Sequence, residues 1–293
     1  MSKFQNALES GKFVITVGLA PPPGVNPESL RRQVNILKDC VDALAISDNR
    51  GANLAMGALA ASVLAREQGG EVICTFNCRD RNRLALAAGL LGAYALGIEN
   101  ILLVSGDYLS FGNIPEAMPV FDLDSVQALT MARSLENGQV QGGNDLNGAP
   151  RFFLGAVANP AAQPLQPQMI KCLKKIRAGA DFLITLDGYD LNKLEAFVAH
   201  IRQQEVKLLV GVRLLGKGDV ECQATNNPPG NLIPPEIMNE FQGLDETQAL
   251  TRGKQRAIEM IRAIKDKGLA HGVHLRADHH VEIIPEVIAA VEL

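Results

Sequence analysis

Eight short apolar runs, each followed by a helix-patterned stretch, recur along the 293-residue chain and constrain its fold more than any other feature. The runs are FVITVGL (13–19), VDALAIS (41–47), EVICTF (71–76), NILLVS (100–105), RFFLGAV (151–157), DFLITL (181–186), KLLVGV (207–212) and GVHLRA (272–277). They lack the polar alternation of a half-solvated strand, so they read as strands buried on both faces, as parallel strands covered by helices are. Between them the patterning predicts a helix opened by Asn26 as N-cap and Pro27 as first residue and running to about Asp39. Further helices are expected over 54–68, 82–96, 122–137, 165–178, 190–204, 234–242, 246–267 and 281–291. Eight strand-then-helix units predict an α/β fold, a closed (β/α)8 TIM barrel formed by 1–293 as one domain, with a doubly wound open sheet as the alternative.

Composition narrows the function classes. A 47% hydrophobic content supplies a core, and a net charge of −4 leaves no broad basic surface for nucleic acid. No apolar run approaches the roughly 18 residues of a membrane span. The start MSKFQNALESGKF has no signal-peptide core, so neither membrane nor secretion is expected. The five scattered cysteines (Cys40, Cys74, Cys78, Cys172 and Cys222) suit a reducing cytoplasm rather than a disulfide scaffold. The spacing of Cys74 and Cys78 is not that of a zinc knuckle, and no metal site is readable.

In such a barrel chemistry gathers where strands end. Those positions are Gly18, Ser47 and Asp48, Thr75, Asn77 and Asp80, Ser105 to Asp107, Ala156 and Asn159, Leu186 and Asp187, Arg213, and Asp278 to His280. Ser105-Gly106-Asp107-Tyr108 ends an apolar strand and opens a long loop, where glycine lets a ligand approach the backbone. The plainer reading is a turn in which Asp107 bonds nearby amides. Asn77-Cys78-Arg79-Asp80-Arg81-Asn82 is either a binding knot or a helix-capping loop with Arg79 paired to Asp80. Lys174 and Lys175 suit a last helical turn, or a cofactor phosphate. His279 and His280 read as a capping or solvated pair rather than a metal site.

Taken in order, GLAPPPG, SDNRGAN, NCRDRN, SGDY, VFDLDSVQ, GAVANP, KKIRAGADFLIT and GVHLRA resemble the methylenetetrahydrofolate reductase family, nearly end to end. The form it resembles is the short prokaryotic one of anaerobic one-carbon metabolism. The resemblance implies a (β/α)8 barrel with FAD, or alternatively FMN, at the strand C-termini. It implies reduction of 5,10-methylenetetrahydrofolate to 5-methyltetrahydrofolate, with NADH or a partner protein as electron donor. Asp107 is then the catalytic carboxylate, stabilising the cationic iminium form of the substrate. The cofactor would contact Ser47, Asp48, Thr75, Ser105, Gly106, Asp107, Gly155, Asn159, Ala162 and Lys175; the tetrahydrofolate derivative would contact Asp107, Asp187 and His280. Thr75 stands where the family often has histidine. A cytoplasmic homo-oligomer, or a complex with a partner redox subunit, is implied as well.

Two positions depart from the family pattern. The catalytic glutamate expected before the proline cluster is Gly18, and the folate-binding glutamine expected after the sixth strand is Leu186. A glycine donates no proton, so the acid is expected from Asp48, Asp187, Asp278, a histidine of the 279–280 pair, or a partner subunit. Gly18→Glu is then expected to raise activity. The alternatives are a flavin-binding paralogue or electron-transfer subunit with altered folate chemistry, and a flavin-free pterin methyltransferase on the same barrel.

Overall fold

The computed structural model describes residues 1–140, 142–226, 232–278 and 280–291. Eight parallel strands close in sequence order: β1 (Val14–Leu19), β2 (Ala43–Ile46), β3 (Val72–Asn77), β4 (Asn100–Val104), β5 (Phe153–Ala158), β6 (Phe182–Asp187), β7 (Lys207–Arg213) and β8 (Gly272–Arg276). Because β1 pairs with both β2 and β8, the sheet has no edge; the barrel is closed and the open-sheet alternative falls. The outer helices are α2 (Glu28–Leu37), α3 (Ala58–Glu67), α4 (Arg83–Ala95), α5 (Ser125–Glu136), α6 (Leu165–Arg177) and α7 (Leu191–Ile201). Three follow β7, namely α8 (Lys217–Asn226), α9 (Pro235–Asn239) and α10 (Glu246–Asp266), and α11 (Ile284–Ala290) follows β8. Among the described residues no helix is long and apolar enough to cross a membrane.

Local chemistry sets the helix starts. The side chains of Asn82, Asp124, Asp190 and Asp245 accept first-turn backbone N–H groups of α4, α5, α7 and α10. Asp124 and Asp245 do so in reciprocal capping boxes with Gln127 and Gln248. The start of α2 is shifted by one residue from expectation. Pro27 occupies the N-cap, and Asn26 Oδ1 accepts the Glu28 N–H at 3.0 Å.

Alternation along each strand divides the apolar residues between two cores. Ile15, Val17, Leu44, Cys74, Leu154 and Val210 pack outward against the helices. Val14, Ala45, Ile73, Leu102, Phe153, Phe182 and Leu209 fill the lumen. At the strand N-termini the lumen is shut by α1 (Lys3–Glu9), a helix absent from the sequence expectations. Its Phe4 meets Phe153 and Phe182 edge-on at 5.6 and 5.3 Å, and those two rings stack at 5.1 Å.

Gly155 belongs to this plug and not to a loop. It lies within β5, and a Cβ there would stand 2.2 Å from the Phe182 ring. Its missing side chain makes room for that ring. Above the plug the same parity places Thr16, Gly18, Ser47, Thr75, Gly211 and His274 on the lumen side. The lumen therefore changes from aromatic to small and polar towards the strand C-termini.

Candidate active site

The loops after β2, β3 and β4 are tied together by one buried arginine. Arg79 is 1% exposed. Its Nε and Nη2 donate to the Asp80 carboxylate at 2.6 and 2.8 Å, Nη2 also to the Asn49 carbonyl at 3.2 Å, and Nη1 to the Asp107 carbonyl at 3.2 Å. Burial alone would raise the Asp80 carboxyl, but hydrogen bonds from Arg79, Asn49 and Asn77 bring it down to about 2. Alongside, Asp48 accepts from the Asn77 backbone N–H at 3.0 Å, from Asn77 Nδ2 at 2.6 Å and from Arg81 Nη1 at 2.5 Å. The polar knot read in the sequence is thus a clamp, with the Arg79–Asp80 pair and the Asn82 cap both present. Gly106, at φ 95°, carries the chain past Arg79; a Cβ there would fall 2.7 Å from that of Arg79.

Asp107 stands exposed on this wall. Its Oδ2 accepts the Gly51 N–H at 3.0 Å, while Oδ1 has no hydrogen-bond partner among the described residues. The turn reading of this loop is therefore met on one carboxylate oxygen and the other stays available. The rim beyond is apolar and aromatic. Tyr108 is exposed and lies edge-on to both Phe111 and Phe121, each at 6.4 Å.

The opposite arc is built from ion pairs on β6 to β8. Arg276 Nη2 reaches Asp187 Oδ2 at 2.9 Å; Arg213 pairs with Asp219 at 2.5 Å and Asp278 at 3.0 Å; Arg50 pairs with Asp278 at 2.7 Å. Burial would raise the Asp278 carboxyl, yet Arg50, Arg276 and Arg213 bring it down to about 2. Asp187 owes its place to a register shift. Ile184 pairs with Leu209 but Asp187 with Gly211, so β6 carries one extra residue. The bulge turns Asp187, rather than Leu186, towards the lumen. Gly211 permits it, since a Cβ there would lie 2.5 Å from the Thr185 carbonyl, and Thr185 Oγ1 accepts the Gly211 N–H at 2.9 Å.

Buried side-chain polar atoms without hydrogen-bond partners concentrate here. Among the described residues there are seven, of which Ser47 Oγ, Asp187 Oδ2, Tyr189 OH, Arg213 Nε and Arg276 Nε lie at this end of the barrel. Asp187 Oδ2 is paired by charge without hydrogen-bond alignment. Such a cluster is what a site completed by a ligand leaves open. Asn159, Ala162, Asp187 and Tyr189 also line a cleft of about 1080 Å³ that reaches α9 and α10.

The remaining sequence candidates are placed unevenly. Ser105 Oγ is engaged with Ser125, accepting its N–H at 3.4 Å. Lys175 is buried and donates to the Val157 carbonyl at 2.6 Å, and burial lowers its ammonium to about 8, so this cation is spent on the backbone of β5. His280 turns to Glu246 at 3.3 Å and Glu282 at 3.6 Å, and His279 lies outside the described residues. Sequence reasoning passed over Arg276, Tyr189 and His274. For His274 the signal was its parity, a polar residue at a lumen position of an otherwise apolar strand.

The sequence profile of the methylenetetrahydrofolate reductase family matches residues 3–292. The chain belongs to that family. One curated reductase relative, the probable methylenetetrahydrofolate reductase (NADPH) of Caenorhabditis elegans, is 24% identical over 234 residues, 77% of this chain. The match covers 33% of that relative, so the chain spans about a third of its length. An uncharacterized Clostridium thermocellum protein that binds two copies of 5-methyl-5,6,7,8-tetrahydrofolic acid matches with a TM-score of 0.70 at 15% identity, over 99% of this chain and 98% of that one. The EDTA monooxygenase of Chelativorans sp. BNC1 matches at 0.57 and 13% identity, over 96% and 93% of the two chains. Both likenesses are of fold alone.

Proposed function

We propose that this barrel catalyses flavin-dependent reduction of 5,10-methylenetetrahydrofolate to 5-methyltetrahydrofolate. The observation that carries the reading is the family match over residues 3–292, which takes in every loop of the polar mouth. The folate bound by the Clostridium thermocellum neighbour supports a folate ligand here. Ser47 Oγ, buried there without a hydrogen-bond partner among the described residues, supports a polar-edged ligand at the mouth. Ser47, Asp48, Thr75, Ser105 and Gly106 would hold the flavin on the β2–β4 arc, with Asn159 and Ala162 beside it. When bound, the flavin supplies the hydride.

Asp107 places a negative charge at the rim, fixed by the Gly51 N–H so that its position does not depend on the ligand. A fixed carboxylate there stabilises a cationic iminium at little reorganisation cost. The three carboxylates considered as proton donors each lie against an arginine: Asp48 against Arg81, Asp187 against Arg276, and Asp278 against Arg50 and Arg213. Asp278, held down at about 2 by its arginines, carries no proton to give, and water at the exposed rim is the proton source in this reading. NADH or a partner redox subunit delivers electrons from the same open side.

Titration of the purified chain with FAD and FMN tests the first part; uptake of neither overturns the reading in favour of a flavin-free methyltransferase. Asp107→Asn is expected to slow folate reduction by about 100-fold, the scale of one lost electrostatic group, with flavin affinity little changed. An unchanged rate in rapid-mixing experiments would remove Asp107 from the mechanism.

A further inference from the structure

One polar side chain in the lumen takes no part in the pairings above. His274 of β8 is 8% exposed and stands in register with Thr16 of β1 and Gly211 of β7, so its neighbours at that level are small. Thr16 Oγ1 lies 3.0 Å from His274 Nδ1 and 3.3 Å from the Val273 carbonyl. Of the two ways to place the hydroxyl proton, the one that satisfies both contacts gives it to the Val273 carbonyl, with Nδ1 donating to the hydroxyl oxygen. In that arrangement the ring proton is on Nδ1. It leaves Nε2 as an acceptor, and Nε2 has no hydrogen bond among the described residues.

Nε2 faces Gly18. A Cβ at position 18 would stand 3.0 Å from Nε2 and 3.4 Å from Arg276 Cγ, so any side chain there would cover the imidazole edge. Burial, with the charges of Arg276 and Arg50, lowers the imidazole to about 3 and keeps the ring neutral. The flavin-side residues of the reading above lie on β2 to β5, whereas His274, Gly18, Arg276 and Asp187 occupy β8, β1 and β6. This is the arc left to the substrate.

We propose that His274 Nε2, kept uncovered by Gly18, accepts a hydrogen bond from a ring N–H of the reduced pterin and sets specificity for a heterocycle with a donor at that edge. The inference rests on the folate reading. A ligand with an acceptor or a methyl group in that place leaves a buried acceptor unpaired and is rejected. The role of the small residue also changes. Glycine at 18 is there to open His274, and Gly18→Glu is expected to weaken folate binding, contrary to the gain that the missing acid alone would suggest.

The test uses the full chain, 5-methyltetrahydrofolate and FAD as separate probes, and nitrogen NMR of the labelled imidazole. In the wild type the unprotonated Nε2 resonance of His274 is expected to shift on addition of 5-methyltetrahydrofolate and to stay in place with FAD. Gly18→Ala and His274→Phe are each expected to raise the folate Kd about tenfold, the scale of one lost buried hydrogen bond, with the FAD Kd unchanged. Thermal melts establish that each variant is folded, and the wild-type spectrum decides the matter if either is not. A Nε2 resonance unmoved by bound folate, a shift produced by FAD instead, or an unchanged folate Kd in a folded variant overturns the inference and leaves the folate reading standing. A wild type that binds no 5-methyltetrahydrofolate overturns both.

Discussion

Arg79→Met is expected to cost about 3–5 kcal/mol of stability, the scale of breaking a buried ion pair by removing one partner. The methionine removes a guanidinium that serves Asp80, Asn49 and Asp107 at once. Asp80 loses its principal partner, and two backbone carbonyls on neighbouring loops lose donors. Arg79→Lys is expected to recover only part of the loss, because an ammonium cannot reproduce the planar fork that reaches three loops. Chemical denaturation monitored by circular dichroism measures both. The exposed Arg83–Asp122 pair provides the control, with a far smaller effect for Arg83→Met. A loss of less than about 1 kcal/mol for Arg79→Met would mean that the three loops are held by something other than this clamp.

Acid is expected to unfold the wild type earlier than His274→Gln, and this is the second large effect. The imidazole of His274 is neutral in the folded barrel down to about pH 3, against an ordinary histidine value of 6.5. Below pH 6.5 the unfolded chain therefore takes up a proton that the folded chain refuses. The stability contribution is complete above pH 6.5 and is lost as pH falls towards 3. The slope is about 1.4 kcal/mol per pH unit, so the wild type should lose on the order of 3–5 kcal/mol relative to the glutamine variant across that window. Asp80 and Asp278, held near 2, add their own loss at lower pH in both proteins. Parallel stability curves for the two proteins between pH 6.5 and 4 would show that the ring takes up its proton in the folded state as readily as in solution.

The strands were legible because burial on both faces writes an unbroken apolar run, and all eight runs became strands of the closed barrel. The start of α4 was legible where Asn82 caps it, whereas α5 begins at Ser125 behind its Asp124 cap rather than at the expected Asp122. What failed was everything decided by pairing across the lumen. The seven-residue α1 is too short to write a periodic pattern and is held by contacts of Phe4 with β5 and β6. The bulge in β6 turns Asp187 inward, and nothing local announces it; only the bare position at Gly211, on a different strand, makes space for it. Gly155 was named only through the family resemblance, and its packing against the Phe182 ring is written on β6, not in its own segment. Lys175 found its partner, the Val157 carbonyl, on a strand outside its own helix, and His280 faces Glu246 of α10 besides its neighbour Glu282.

The mouth thus combines a wall on one side, closed by Arg79, with an arginine–carboxylate arc on the other that carries the unpartnered atoms of Asp187, Arg213 and Arg276. In the proposed reading the two ligands are a flavin and a folate, and anchoring groups fixed before either arrives would position both. The most direct measurement is a single-turnover reaction. The chain is loaded with flavin, reduced without oxygen, and mixed with 5,10-methylenetetrahydrofolate. Return of the oxidised flavin spectrum together with one 5-methyltetrahydrofolate formed per flavin is the expected result; a flavin that stays reduced while the folate is recovered unchanged would contradict the account.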